Sequence, residues 1–457
     1  MYESMFAISF ALCNQKGMKQ IVVFGAGLSS SYLIKYLLSN AKKENWQIKI
    51  VDANLELAQK KIGKSAFGTA LSIDINNKEE REKLIQTANL VISLLPPTLH
   101  ILVAKDCIKS AKNLITASYV SEEMKSLDKA AQKAGILLLN EIGLDPGIDH
   151  LSAMQMIHQI QKEGGEITSF KSYCGGLVAP EYDDNPWNYK FTWNPRNVIL
   201  AGQATATYLE NKQVKFIPPN RIFSQTVDVM VPELGKFESY ANRDSLGYIS
   251  PYGIESAHTV LRGTLRRKNY SQNWNYLVKL GLTDDTYKIT NSENMTYREL
   301  MAALLSGANQ QNLEIQLSRF MNKAQTSKEF QKIKWLGLLN DEKIGIANAS
   351  PAQILQHLLT QKWKLKKGEL DMIVMKHEIT YKKDKKNFKA NSSLIVKGED
   401  EVLTAMAKTV GLPMAIAAKL ILQGKIVDKG VQIPLSPMYY EPILKELAKF
   451  DIKFIEH

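Results

Sequence analysis

Two carboxylates and an imidazole lie close together in the stretch LLNEIGLDPGIDHLSAMQMI, residues 138–157. Asp145, Asp149 and His150 flank a Pro-Gly turn, and such a group could transfer protons, bind a metal ion or cap a helix. The seven histidines of the chain form no HExxH motif or other metal-binding spacing, so we predict no metal site. We expect Asp149 to cap the following helix and His150 to lie in its first turn for structural reasons.

A glycine turn follows the first apolar strand pattern, KQIVVF, and precedes a helical pattern, LSSSYLIKYLLSN. Gly25 permits a tight turn, and Gly27 lets the backbone approach a pyrophosphate at the helix N-terminus. Asp52 follows at the end of the second predicted strand, where a carboxylate accepts hydrogen bonds from the adenine ribose and repels a 2′-phosphate. This context predicts a dinucleotide site that prefers NAD, with NADP possible.

Strands alternate with helices up to the opening stretch, which predicts an α/β fold with a mainly parallel, Rossmann-type sheet. After Ile148 the pattern is that of an α+β region, and from about residue 275 to 365 it is mostly helical. Two strand-like runs around YKKDKKNF, residues 381–388, predict a hairpin, and two apolar-faced helices end the chain. We expect an N-terminal extension, 1–17; a Rossmann domain, 18–147 with a return, 402–457; an α+β substrate domain, 148–274 plus 366–401; and a small helical domain, 275–365.

The composition, 45% hydrophobic and 23% charged over 457 residues, is that of a soluble globular protein. No apolar run was expected to reach the roughly 18 residues of a membrane span, and the apolar N-terminus lacks the features of a signal peptide. Three widely spaced cysteines without CxxC favour a reducing cytoplasm. The net charge of +12 comes from scattered lysines, so we expect a basic surface and no nucleic-acid partner.

Six motifs occur in the same order as in a known family: NLITASYVS, NEIGLDPGIDHLSAM, SYCGGLVAPE, NRDS, AHTVLRGTLR and AMAKTVGLP. From about Met18 to its C-terminus the chain resembles the L-glutamate-forming saccharopine dehydrogenase (saccharopine reductase) family, including the corresponding half of the animal bifunctional enzyme. That family interconverts saccharopine with glutamate and α-aminoadipate semialdehyde, using a nicotinamide cofactor. The resemblance implies the same reaction in lysine metabolism.

The resemblance also implies site residues. Cofactor contacts fall on Gly25, Ala26, Gly27, Leu28, Ser29, Asp52, Ser93, Leu94, Leu95, Thr116 and Ala117. Substrate contacts fall on Ser118, Tyr119, Asp145, Arg243, Thr264, Leu265 and Arg266. Saccharopine has three carboxylates and a secondary amine, so the two arginines suit its carboxylates and Asp145 suits its amine.

Proton transfer could involve Asp145, Tyr119, Cys174 or His150, and the sequence does not choose among them. Two other hypotheses stay open. One is another imine-reducing relative, such as a carboxynorspermidine dehydrogenase, and the other is a catalytically inactive dinucleotide-binding protein. The direction of lysine metabolism also stays open, and a homodimer is plausible for a Rossmann dehydrogenase of this size.

Overall fold

The computed structural model describes residues 17–457, and the chain divides into two compact units. Unit 1 comprises Met1–Leu151 and Ala407–Lys449, and unit 2 comprises Ser152–Met406 and Phe450–His457. The predicted N-terminal extension lies outside the described residues except for Gly17. The segment 275–365, which the sequence suggested as a separate helical domain, lies within unit 2.

Unit 1 is built on a seven-stranded parallel sheet. Its strands, in spatial order, are Gly430–Gln432, Leu137–Leu139, Asn113–Thr116, Leu90–Ser93, Lys19–Phe24, Trp46–Val51 and Gly68–Leu71. The first described strand, Lys19–Phe24, lies inside the sheet. The next two strands along the chain extend the sheet to one side of it and the following three extend it to the other side, which is the Rossmann order. The central strands are apolar along their length because helices cover both faces of such a sheet; Ile21, Val22 and Val23 are wholly buried.

Three helices of unit 1 begin where a side chain accepts a hydrogen bond from an otherwise unpaired amide. Asn54, Asn77 and Ser121 each accept from the backbone N–H three residues ahead. The helices are Ser31–Glu44, Leu55–Ile62, Lys78–Thr87, His100–Lys109, Glu122–Ser126, Asp128–Lys133 and Pro437–Leu447, together with most of Ala405–Leu422 and the first turn of Ile148–Lys162.

One described helix, Ala405–Leu422, is long and apolar enough to cross a membrane by length and composition alone. The expectation that no segment reaches this length was therefore wrong, because Lys408 and Lys419 are too few to lower its mean hydropathy below the usual threshold. Within the structure 78% of the helix is buried, as is usual for a helix of a protein core.

Unit 2 contains a nine-stranded mixed sheet. Its main path runs Thr226–Val231, Gly235–Ala241, Thr259–Arg266, Glu166–Val178, Asp371–Lys383, Lys386–Lys397 and Ile455–Glu456, and the hairpin Ala206–Glu210 with Gln213–Ile217 joins it at the third of these strands. The predicted hairpin is present: Asp384 and Lys385 form its tip with positive φ angles of 50° and 64°, as a two-residue turn between twisted strands requires.

The helices of unit 2 share one hydrophobic core with the segments before them. Trp187, Trp274 and Trp363 meet in this core, so the helical region does not have a core of its own. Besides the rest of Ile148–Lys162, the helices are Pro195–Ile199, Tyr270–Lys279, Tyr297–Leu304, Leu313–Met321, Lys328–Leu336 and Pro351–Lys362.

Candidate active site

The glycine turn of unit 1 has the backbone geometry that a dinucleotide site needs. Gly25 has a φ of +103°, and a Cβ there would lie 3.0 Å from the carbonyl oxygen of Leu94, so a larger residue would be strained. A Cβ on Gly27 would meet no atom within 4 Å, and Leu28 beside it is exposed. The turn continues through Ser29 into the helix Ser31–Glu44, so open space adjoins backbone amides at a helix N-terminus.

Asp52 is tied to this turn. Its Oδ2 accepts a hydrogen bond from the backbone N–H of Ala26 at 2.7 Å, and its Oδ1 accepts from that of Asn54 at 2.9 Å. The carboxylate therefore links the end of the second strand to the glycine turn and places a negative charge there. The turn, the helix N-terminus and this acceptor together fit a dinucleotide.

A buried imidazole connects the ends of two neighbouring strands, Leu90–Ser93 and Asn113–Thr116. His100 Nδ1 lies 2.8 Å from Ser93 Oγ, and His100 Nε2 lies 2.8 Å from Ser118 Oγ and 3.1 Å from Thr116 Oγ1. Burial lowers the pKa of His100 to about 4, so the ring is neutral near neutral pH. Sequence reasoning missed His100; the available signal was one polar residue opening the largely apolar helix that follows the strand.

The cofactor candidates on these strand ends differ in exposure. Ser93 and Thr116 are buried, and their hydroxyls face His100, whereas Leu94, Leu95 and Ala117 are half-buried. All of them lie at the carboxyl edge of the parallel sheet beside the point where the strand order reverses, which is where open α/β sheets bind ligands.

The carboxylates and the imidazole of residues 138–157 do not form one cluster but take part in separate pairs. The hydroxyl of Tyr119 donates to Asp145 Oδ1 at 3.0 Å, and the imidazole of His150, fully buried, pairs through Nε2 with Glu141 Oε2 at 2.8 Å. Asp149 does not occupy the cap position: it is the second residue of its helix, and its carboxylate accepts from the preceding Gly147 N–H at 2.6 Å. Across residues 17–457 no three His, Cys, Asp or Glu side chains are grouped to hold a metal ion.

Glu141 also holds the segment that carries Ser118 and Tyr119. Its Oε1 accepts from the backbone N–H of Val120 at 2.9 Å, and its own N–H donates to the carbonyl oxygen of Ser118 at 3.1 Å. Glu141 is buried and adopts a positive φ of 55°, a conformation that few non-glycine residues adopt. The sequence analysis did not single out Glu141, because the apolar strand pattern of residues 136–143 runs through it.

In unit 2, Cys174 and Thr264 are direct neighbours on adjacent parallel strands. A Cβ on Gly175 would lie 2.7 Å from the carbonyl oxygen of Leu265, so glycine is needed for the close approach of these strands. Cys174 and Leu265 are buried, and the Leu265 side chain packs in the apolar core of the sheet. Leu265 as a whole is inaccessible to solvent, and its side chain belongs to the core of the sheet.

Arg266, which the resemblance implied as a contact for a substrate carboxylate, is enclosed by aromatic rings. Only 3% of the residue is exposed, and its guanidinium carbon lies 5.0, 5.7 and 5.4 Å from the ring centres of Tyr189, Tyr240 and Tyr270. Its Nη1 donates to the carbonyl oxygen of Leu265 at 2.8 Å. In the described part of the chain no carboxylate forms an ion pair with it, so its charge is stabilised mainly by rings and a carbonyl.

Arg243 lies on an exposed turn of unit 2 with a φ of +51°. The turn is built by Asp244, whose carboxylate accepts from the N–H groups of Leu246 at 2.9 Å and Gly247 at 3.2 Å. The predicted site residues thus form two sets. Unit 1 holds the cofactor residues with Ser118, Tyr119 and Asp145, and unit 2 holds Cys174, Arg243 and Thr264–Arg266.

The parallel sheet, its glycine turn and the polar groups at its carboxyl edge define a Rossmann-type, dinucleotide-binding protein. The family model described as "Saccharopine dehydrogenase NADP binding domain" matches residues 21–139, and "Saccharopine dehydrogenase C-terminal domain" matches residues 143–452. The chain belongs to the saccharopine dehydrogenase family. The resemblance seen in the motifs and the fold class are thereby confirmed, and the cofactor is a nicotinamide dinucleotide.

Two curated relatives and one solved structure illustrate the similarity. "Alpha-aminoadipic semialdehyde synthase, mitochondrial" of Bos taurus is 38% identical over 95% of this chain, which spans about half (47%) of that protein. The saccharopine dehydrogenase (NADP(+), L-glutamate-forming) of Pyricularia oryzae is 34% identical, covering 94% of this chain and 97% of its own. The apo saccharopine dehydrogenase (L-Glu forming) of Saccharomyces cerevisiae superposes with a TM-score of 0.86 at 31% identity, covering 96% of this chain and 99% of its own.

Proposed function

We propose that the protein catalyses the reversible oxidation of saccharopine to L-glutamate and L-2-aminoadipate 6-semialdehyde. The observation that carries the proposal is the arrangement at the carboxyl edge of the parallel sheet. Ser118, Tyr119 and Asp145 follow the ends of two neighbouring strands, and the glycine turn follows a third strand of the same sheet. Hydroxyls and a carboxylate there suit an amino-acid substrate beside a bound dinucleotide.

The bound dinucleotide supplies the hydride acceptor, and the chain positions the substrate. Asp145 is placed to orient the secondary amine, and the hydrogen bond from Tyr119 holds that carboxylate in position. The amine nitrogen joins the glutamate part of saccharopine to the carbon that becomes the aldehyde. Loss of hydride from the latter carbon leaves an imine, and water adds to the same carbon. Its bond to nitrogen then breaks, which releases glutamate and the aldehyde. Arg243 and Thr264 are proposed to bind substrate carboxylates, and Cys174 stays a candidate for proton transfer.

We propose NAD as the preferred form of the cofactor. The support is electrostatic: Asp52 places a carboxylate against the glycine turn, and the next residues, Ala53 and Asn54, bring no positive charge. The comparisons favour NADP instead, because the matching family model is described as an NADP binding domain and the fungal relatives are named for NADP(+), so a direct comparison is needed. Initial rates with NAD and NADP, each at several concentrations, decide it; a kcat/KM higher with NADP would overturn the proposal.

The proposed reaction is tested by following the absorbance of the reduced cofactor as it forms, with saccharopine as substrate. Turnover with aspartate semialdehyde and a diamine, but not with saccharopine, would instead indicate a carboxynorspermidine dehydrogenase. Cofactor binding without turnover of either set of substrates would indicate an inactive dinucleotide-binding protein.

We further propose a cytoplasmic homodimer, to be tested by cell fractionation and by light scattering of the purified protein.

A further inference from the structure

His100 joins two neighbouring strand ends of unit 1 through side-chain hydrogen bonds. It is the first residue of the helix His100–Lys109, and its ring lies between Ser93 on one side and Ser118 with Thr116 on the other. The ring is buried, whereas Ser118 is half-buried. The hydrogen-bonded chain therefore begins at Ser93, which is wholly buried, and ends at Ser118, a residue that retains some exposure.

We propose that His100 is a positioning residue for the substrate: it holds the hydroxyl of Ser118 in one orientation at the carboxyl edge of the sheet. The inference rests on the proposed function, because Ser118 is the group that would contact saccharopine. His100 touches neither substrate nor cofactor in this role and acts through Ser118.

The chemistry of a neutral imidazole explains the choice of residue. A neutral ring has one N–H donor and one acceptor nitrogen, so each hydroxyl that meets it is given a definite role. Ser93 engages Nδ1 and thereby restricts rotation of the ring, while Nε2 engages Ser118. An unrestrained serine hydroxyl would sample several rotamers, and ordering it on binding would weaken the contact with substrate.

A histidine that only fills the core would behave differently from one that acts on Ser118. Glutamine can place its amide near the position of Nε2, and asparagine can place its amide near that of Nδ1. The pair H100Q and H100N therefore separates the bond to Ser118 from the bond to Ser93. If His100 only fills the core, the saccharopine KM should rise with the loss of side-chain volume and of stability. If His100 positions Ser118, the KM should rise only in variants whose side chain cannot reach the Ser118 hydroxyl.

The test measures saccharopine KM, kcat, the Kd of reduced cofactor and the melting temperature for full-length wild type, H100Q, H100N and H100A. We expect H100N and H100A to raise the saccharopine KM about tenfold, the loss of roughly one oriented hydrogen bond. H100Q should keep the saccharopine KM within about threefold of wild type. Because Ser93 and Thr116 also bond to the ring, the cofactor Kd can rise as well, but in H100N and H100A it should rise less than the saccharopine KM. H357A, at an exposed helix position of unit 2, is the matched histidine control and should leave all values unchanged.

A double-mutant cycle with S118A makes the test independent of folding. If His100 acts through Ser118, replacing it in the S118A background should change the saccharopine KM by less than about twofold. Equal effects of H100A in both backgrounds, or KM changes that track only the melting temperature, would overturn the inference. Failure of wild type to turn over saccharopine would refute the proposed function first, and this inference with it.

Discussion

The phenolic hydroxyl of Tyr119 is hydrogen-bonded to Oδ1 of Asp145 over 3.0 Å, although the two residues follow different strands of the sheet. Both residues are half-buried, so the pair lies at a surface that a ligand can reach. The bond holds the carboxylate in one direction, and this geometry gives Asp145 an orienting role toward a cationic amine.

D145N should raise the saccharopine KM by about 10- to 100-fold, because a charge-assisted hydrogen bond to the amine is lost. Y119F should have a smaller effect, since it keeps the carboxylate and removes only the group that holds it. Steady-state kinetics measure both, and D384N, at the exposed hairpin tip, is the control. A fall in kcat at unchanged KM for D145N would indicate proton transfer instead of orientation.

R243A should raise the saccharopine KM by at least about tenfold and leave the Kd of reduced cofactor nearly unchanged, because a guanidinium binds a carboxylate through two hydrogen bonds. R243K should recover part of the loss, since it keeps the charge without the planar donor pair. R221A removes another exposed arginine of unit 2 and serves as control. Equal weakening of substrate and cofactor binding would contradict a role limited to substrate.

R266A should lower the free energy of unfolding by about 3 kcal/mol or more, because it leaves a cavity between the rings of Tyr189, Tyr240 and Tyr270. R266M fills much of that volume without a buried charge, so its loss should be about 1 kcal/mol or less. Denaturant unfolding measures both. Similar large losses in the two variants would mean that the guanidinium charge itself stabilises unit 2.

D52A should lower the ratio of kcat/KM with NAD to that with NADP by about tenfold, because it removes a carboxylate that repels a 2′-phosphate. It should also weaken binding of both cofactors, since the N–H of Ala26 loses its acceptor. D52N keeps an acceptor and should therefore preserve more of the overall affinity. E79Q, on an exposed helix of unit 1, is the control, and an unchanged NAD to NADP ratio in D52A would contradict the assignment.

The buried imidazole of His100 should make stability depend on pH. Burial lowers its pKa to about 4 from the ordinary value of 6.5, so in this interval the unfolded chain binds the proton and the folded protein does not. The contribution of neutral His100 is complete above pH 6.5 and is lost as the pH falls toward 4, up to about 3 kcal/mol. H100Q should lose less stability than wild type between pH 7 and pH 4, measured by chemical unfolding; parallel curves would refute the buried neutral ring.

Local patterns in the sequence were sufficient for the fold class and for the nucleotide turn. Alternating apolar strands and helices predict a parallel sheet because each βαβ unit buries its strand beneath a helix, and the observed strand order confirms this. The glycine turn was also predictable, because the positive φ of Gly25 favours glycine. The hairpin was predictable from the two strand-like runs on either side of 384–385, although Asp384 and Lys385 are not the usual residues of such a turn. The motif order further identified the family.

Contacts between distant segments were decided only by the tertiary structure. Cys174 lies beside Thr264 because two strands pair in one particular register, and no local periodicity encodes that register. His100 was not predicted because its partners come from two strand ends that the sequence does not bring together. The enclosure of Arg266 was not predictable either, because the sequence does not show the tyrosines that surround it. The sequence by itself determined the type of site and its cofactor class; packing and strand register decided which side chains meet there.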